Sequence, residues 1–107
     1  MSELMKRIGI IGDVHAEHDR LSMTLGYLES LGVDEIVCTG DIADGRGDLT
    51  RCCELLEQKK VLTVAGNHDR WFLSNKVRHV QGAHLREHIS CRTIAFMEGL
   101  PKTLTLQ

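Results

Sequence analysis

One proline in 107 residues, a formal net charge of only −2 and no long apolar run are the scarcities of this sequence, and each excludes something. A single proline beside ten glycines leaves no biased segment to read as a linker or low-complexity chain. The near balance of 13 basic and 15 acidic side chains lacks the electrostatic footprint of a general nucleic-acid binder. A bilayer span needs about 20 consecutive apolar residues. No run here approaches that length, so no membrane partner is expected. The stretch Met1 to Arg7 carries Glu3 and no apolar h-region, which argues against a secretory signal and for a cytoplasmic protein. Cys38, Cys52, Cys53 and Cys91 show no C-x-x-C spacing, and reduced thiols are the expectation. Cys38 reads as a small core residue, and of the adjacent Cys52 and Cys53 at most one is expected to face the core.

What is present is enough apolar material, 42% of the chain, for a core. A chain of this length buries roughly two-thirds of its unfolded surface, which suits a single domain over residues 1–107. Three short apolar runs, Ile8–Ile11, Ile36–Thr39 and Val61–Val64, are each followed by glycine and a polar residue. Continuous β-branched runs bounded by glycine suggest strands of a parallel sheet, buried on both faces. Helical spacing fills the gaps. Leu21, Leu25, Leu28 and Leu31 share one face, with Asp19 as N-cap and Gly32 just past the end. Leu49, Cys52, Leu55 and Leu56 repeat the pattern behind a cap at Asp48. A third helix is expected over Ser90–Glu98, capped by Ser90 and ended before Pro101, and Thr103–Leu106 alternates like a further strand. The fold class is therefore α/β, with a parallel βαβαβ core and right-handed crossovers.

The chemistry lies at the strand ends. Asp13 and His15 follow the first run, Asp41 the second, and Asn67 and His68 the third. In an open parallel sheet the carboxyl ends of the strands gather at one edge, where ligands bind. Two carboxylates, two imidazoles and a carboxamide thus meet there. Glycines 12, 40 and 66 allow sharp turns close to a bound ion or phosphate. Oxygen and imidazole donors suit Mn²⁺, Fe²⁺ or Zn²⁺. Asp41, on the middle loop, is the natural bridge between two such ions, which would activate a shared water for in-line displacement at phosphorus. His68 would then protonate the leaving oxygen, with Asp69 fixing its tautomer.

Gly12-Asp13-Val14-His15, Gly40-Asp41-Ile42-Ala43-Asp44 and Gly66-Asn67-His68-Asp69 together resemble the calcineurin-like metallophosphoesterases, whose pattern is D-x-H, then G-D-x-x-(D), then G-N-H-(D/E). The likeness covers residues 7–70 in the family's order and spacing. It implies a metal-dependent phosphoesterase acting on a phosphomonoester or phosphodiester through a hydroxide held between two metal ions. Asp13 and His15 would hold the first ion, Asp41 would bridge, Asn67 would hold the second, and His68 would sit beside the phosphate as the catalytic histidine. Asn67 and Arg46 would also contact substrate, although this arginine stands one place later than in G-D-x-x-D-R-G phosphatases. The family continues with a further histidine and a G-H-x-H block, and nothing after His68 has that form. The chain thus reads as the first half of the family's two-sheet sandwich, apparently truncated, with one or two ions bound.

Plainer readings stand beside these. Asp13, Asp41 and Asn67 could each be a turn residue, but three in register with two histidines favour metal. Gly9-Ile10-Ile11-Gly12 lacks the dinucleotide fingerprint, and Asp13 would repel a pyrophosphate. His18 is expected solvated at a helix entry, and His79 has no partner at telling spacing. His84 and His88 have the i, i+4 spacing of a helical metal pair but read as surface residues, and Trp71 and Phe72 read as packing residues. Two rivals to the enzyme remain: a catalytically deficient half-domain with partial metal binding that self-associates, and a non-catalytic phosphate-binding module.

Overall fold

The computed structural model describes residues 7–74, 84 and 86–105. Strand β1 (Ile8–Ile11) leads to helix α1 (His18–Ser30), β2 (Glu35–Cys38), α2 (Leu49–Gln58), β3 (Leu62–Thr63), α3 (Asn67–Leu73), one turn of 3-10 helix at Arg86–His88, and α4 (Cys91–Glu98). The strands form a parallel sheet in the order β1-β2-β3, with Ile10 opposite Val37 and Cys38 opposite Thr63. The α/β class and the parallel βαβαβ core are as the sequence indicates. His79 and Leu106 lie outside the described residues, and residues 103–105 form no strand.

Burial corrects one expectation. Ile11, Ile36 and Cys38 join the core with Leu21 and Leu25 of α1 and with Leu49, Cys52 and Leu56 of α2. On the opposite face Ile8 is 41% and Ile10 70% exposed. The strands are covered on one face and not on both, because both crossover helices lie on the same side. An apolar run in β1 therefore reads like a fully buried strand while half of it faces outward.

The helices follow local rules with small shifts. α1 begins at His18, so Asp19 lies in its first turn and favours the positive end of the helix dipole without capping it. Gly32, at φ +69°, ends α1 as expected, and Leu31 is left exposed beyond the last turn. Asp48 caps α2 by accepting the Arg51 N–H at 3.0 Å, and Ser90 caps α4 by accepting the Thr93 N–H at 3.3 Å. Cys52 and Cys53 are both buried, against expectation. α2 is flanked on two sides: both cysteines belong to the core cluster, and Cys53 also lines a hollow with Ser90, Thr93 and Phe96 of the α4 segment. Thr50 and Thr93, hydroxyl to hydroxyl at 3.1 Å, tie α2 to α4. α3 was not indicated by periodicity; it starts inside the third motif and buries Phe72.

Candidate metal centre

The loops after β1, β2 and β3 lie in backbone contact. The His15 and Ala16 amides donate to the carbonyls of Asp41 and Ile42, both at 2.8 Å, so the first loop runs along the second. Gly40 takes φ +98°, and a Cβ there would strike the Gly66 nitrogen and the Val64 carbonyl; a Cβ on Gly66 would strike Asp41. These two glycines let the second and third loops touch.

Backbone strain concentrates at the same place. Asp13 (φ 51°), His15 (44°), Ala16 (60°), Asp41 (54°) and Asp44 (70°) all occupy the left-handed region. Each such residue costs on the order of 1–3 kcal/mol and persists only where its surroundings over-determine it. Neighbouring loops supply that restraint through the amide bonds just named.

Asp13, His15 and Asp41 each bring one ligand atom within 4.8 Å of the others. His15 Nδ1 lies 3.1 Å from the Ala43 carbonyl oxygen, an acceptor only, so Nδ1 carries the proton and donates it. Nε2 is turned to the other side, 3.8 Å from Asp13 Oδ1. Such orientation of an imidazole by a backbone carbonyl is the usual support of a metal-ligating histidine. Two carboxylates and an imidazole at this spacing form a donor set suited to a divalent cation.

His68 stands beside this group. Its backbone N–H donates to Asp41 Oδ1 at 3.0 Å, and its ring packs edge-on to His15, with centroids 4.7 Å apart and planes at 81°. Trp71 also packs edge-on to the His68 ring, with centroids 5.1 Å apart. Nδ1 of His68 meets Asp44 Oδ2 at 2.9 Å. Asn67 opens α3 next to His68 and is exposed at the same edge.

The partner of His68 is thus Asp44, and the expectation for Asp69 is corrected. Asp69 is fully buried and turned away from Nδ1 of His68. Its Oδ1 accepts the amides of Ile42 and Ala43 at 2.8 and 2.9 Å, and its Oδ2 accepts that of Gly66 at 2.9 Å. Successive helical residues point about 100° apart, so a carboxylate next to His68 on α3 cannot share its face. Burial pushes the Asp69 carboxyl above the usual carboxylate range, the three amide donors work against that rise, and the Asp41 charge adds to it. Asp69 joins the second loop to the third.

Other residues fall as follows. Arg46 is exposed in an open hollow with Glu17, His18, Asp19 and Arg20. His18 is half-buried and not simply solvated: its Nδ1 accepts the Asp48 amide at 3.1 Å, linking the starts of α1 and α2. His84 and His88 form no helical pair, because His84 precedes the 3-10 turn and bonds to Asp44, while His88 is exposed on that turn. The roles of Asp44 and His84 were missed. Asp44 was within reach, since it closes the G-D-x-x-D block; no local signal marks His84.

A model of the calcineurin-like phosphoesterase family matches residues 6–101. The chain belongs to the calcineurin-like phosphoesterases. Family membership supports metal-dependent hydrolase chemistry in general terms. This phosphoesterase chain is 28% identical over 101 residues to an uncharacterized protein of Methanocaldococcus jannaschii, covering 88% of this chain and 42% of that protein. Its fold is similar to a crystal structure provisionally described as a diadenosine tetraphosphatase, with TM-score 0.74 and 27% identity over 94% of this chain and 46% of the other. It is also similar in fold to a metallophosphoesterase from Sphaerobacter thermophilus, with TM-score 0.68 and 24% identity over 92% and 42% of the two chains. The chain spans less than half the length of each of these relatives. No helix among the described residues is long and apolar enough to cross a membrane.

Proposed function

We propose that the chain carries the first half of a phosphoesterase site that hydrolyses a phosphomonoester or phosphodiester with one or two divalent ions, Mn²⁺, Fe²⁺ or Zn²⁺. The observation that carries this reading is the convergence of Asp13, His15 and Asp41 within 4.8 Å, beside the Asp44–His68 pair. Asp13 and His15 would hold the first ion, Asp41 would be shared between two, and Asn67 would contribute to a second. Ions bound there supply positive charge at phosphorus and lower the pKa of a water molecule. His68 is the proton donor to the leaving oxygen. Asp44 holds its Nδ1, which leaves Nε2 to face the substrate and deliver the proton. Asn67, His68 and Arg46 contact the substrate. A dinucleotide polyphosphate joins the compounds to assay, given the likeness to a provisional diadenosine tetraphosphatase. The site of action is the cytoplasm.

The test is Mn²⁺ binding by calorimetry alongside hydrolysis of p-nitrophenyl phosphate and bis-p-nitrophenyl phosphate. Asp41→Asn is expected to lose metal and turnover together. Undiminished binding and turnover in that variant, or no metal-dependent turnover in the parent, would overturn the reading.

A second reading draws on two specific observations. The metal-ligand cluster among the described residues has three members, and Ile8 and Ile10 present an open apolar face on β1. These favour a self-associating chain that holds one ion weakly and turns over little. One ion per chain, no turnover and a dimer by light scattering would support it; two ions with turnover would exclude it.

A further inference from the structure

The motifs account for Asp13, His15, Asp41, Asn67 and His68, but not for what sets the carboxylate of Asp44. Asp44 sits in the left-handed region at φ 70°, with its side chain only 8% exposed. A short side chain on a strained backbone, aimed at one nitrogen of one imidazole, needs restraint at both its amide and its carboxylate. A single residue 40 positions later supplies both. The Asp44 amide donates to His84 Nδ1 at 2.8 Å, and the His84 amide donates to Asp44 Oδ1 at 2.9 Å. Asp44 Oδ2 meets His68 Nδ1 at 2.9 Å.

We propose that His84 is a positioning residue for the Asp44–His68 pair, acting through this reciprocal two-bond clamp; the proposal rests on the phosphoesterase reading above. The clamp fixes the χ angles of Asp44 by holding one carboxylate oxygen, and it fixes the strained peptide by satisfying its N–H. One oxygen then has a single direction in which to hold His68. The chemistry of the ring agrees. An imidazole nitrogen that accepts an amide N–H bears no proton, so His84 is neutral with its proton on Nε2. Burial lowers the proton affinity of His84, against the opposing pull of the Asp44 and Asp48 carboxylates and the Gly47 backbone, which preserves the acceptor. The i, i+4 spacing of His84 and His88 suggests a metal pair, yet the Nδ1 lone pair of His84 is already engaged by an amide.

The discriminating variants are His84→Asn, whose amide oxygen can reach the position of Nδ1, and His84→Gln, whose oxygen falls nearer Nε2. Imidazole NMR on the metal-free protein is the first readout. The parent is expected to show His84 protonated on Nε2 only and His68 with a protected Nδ1–H. That Nδ1–H signal should survive in His84→Asn and be lost to exchange in His84→Gln and His84→Ala. The second readout is steady-state hydrolysis with Mn²⁺. His84→Gln and His84→Ala should lose about 10- to 100-fold in kcat, the cost of a misplaced catalytic group, with KM little changed. His84→Asn should recover most of the loss. A His84 protonated on Nδ1 in the parent, or a His84→Asn no better than His84→Gln in both readouts, would overturn the proposal. Absence of turnover in the parent would instead count against the phosphoesterase reading, since the NMR arm decides the clamp without catalysis.

Discussion

Asp44, in the loop after β2, and His68, in the first turn of α3 and 24 residues away, meet at 2.9 Å between Oδ2 and Nδ1. The contact fixes which nitrogen of His68 is turned toward the site. Asp44→Asn keeps the shape and replaces the carboxylate that faces Nδ1 of His68 with an amide. Its kcat is expected to fall by roughly 10²- to 10³-fold, in the range a general acid contributes. Mn²⁺ binding, measured by calorimetry, should stay at the parental value. His68→Asn should fall as far, and the double variant little further, because the two residues act as one unit. Independent, additive losses would show that they do not.

Asp69 is a structural tie. Removing its carboxylate in Asp69→Ala leaves the buried amides of Ile42 and Ala43 and the half-buried amide of Gly66 without their acceptor. Each unsatisfied buried group costs about 1–3 kcal/mol. Urea denaturation should therefore register a loss of about 3 kcal/mol or more. Asp69→Asn retains one oxygen and should lose less. A change in Asp69→Ala within about 0.5 kcal/mol, the usual scatter of surface substitutions, would remove Asp69 from this role.

Two glycine-to-alanine changes should move in opposite directions. At Gly66 a Cβ strikes the Asp41 side chain and backbone, so Gly66→Ala should displace Asp41 and weaken both folding and Mn²⁺ binding. At Gly26, inside α1, nothing lies within 4 Å of the added Cβ. There the change should stabilise the protein by about 0.5–1 kcal/mol through helix propensity. Thermal and urea melts of the two variants read the contrast directly.

The thiols should divide by burial. Burial raises the Cys38 pKa to about 11 and the Cys52 pKa to about 12, and pushes Cys53 higher still, while Cys91 is exposed. A thiol-specific reagent at pH 8 should label Cys91 within minutes and reach the other three only on unfolding. A linkage effect follows. The unfolded chain releases these thiol protons near pH 9 while the folded chain keeps them, so the unfolded state binds fewer protons and stability declines as pH rises from about 9 toward 11. Denaturation midpoints across pH 8–11 would check the sign.

Much of the site was legible because its residues directly follow strand ends. A parallel sheet carries every such residue to one edge, so Asp13, His15, Asp41 and His68 could be grouped from chain order alone. The caps at Asp48 and Ser90 were legible for a similar reason, since capping is a contact of three residues' span. Asp69 misled because adjacency in sequence suggests adjacency of side chains, which a helix denies. The outward face of β1 misled because Ile8 and Ile10 are as apolar as Ile11, and only the placement of the helices decides which face is covered.

By itself, then, the sequence determined the α/β rhythm, the glycine-bounded strand ends and the donor set that gathers there, all of which depend on neighbours within a few positions. The tertiary structure alone decided which carboxylate holds His68, which one braces the loops, and that His84 reaches back across 40 residues to Asp44. Those choices depend on where separately formed loops come to rest against one another, and no local pattern encodes that.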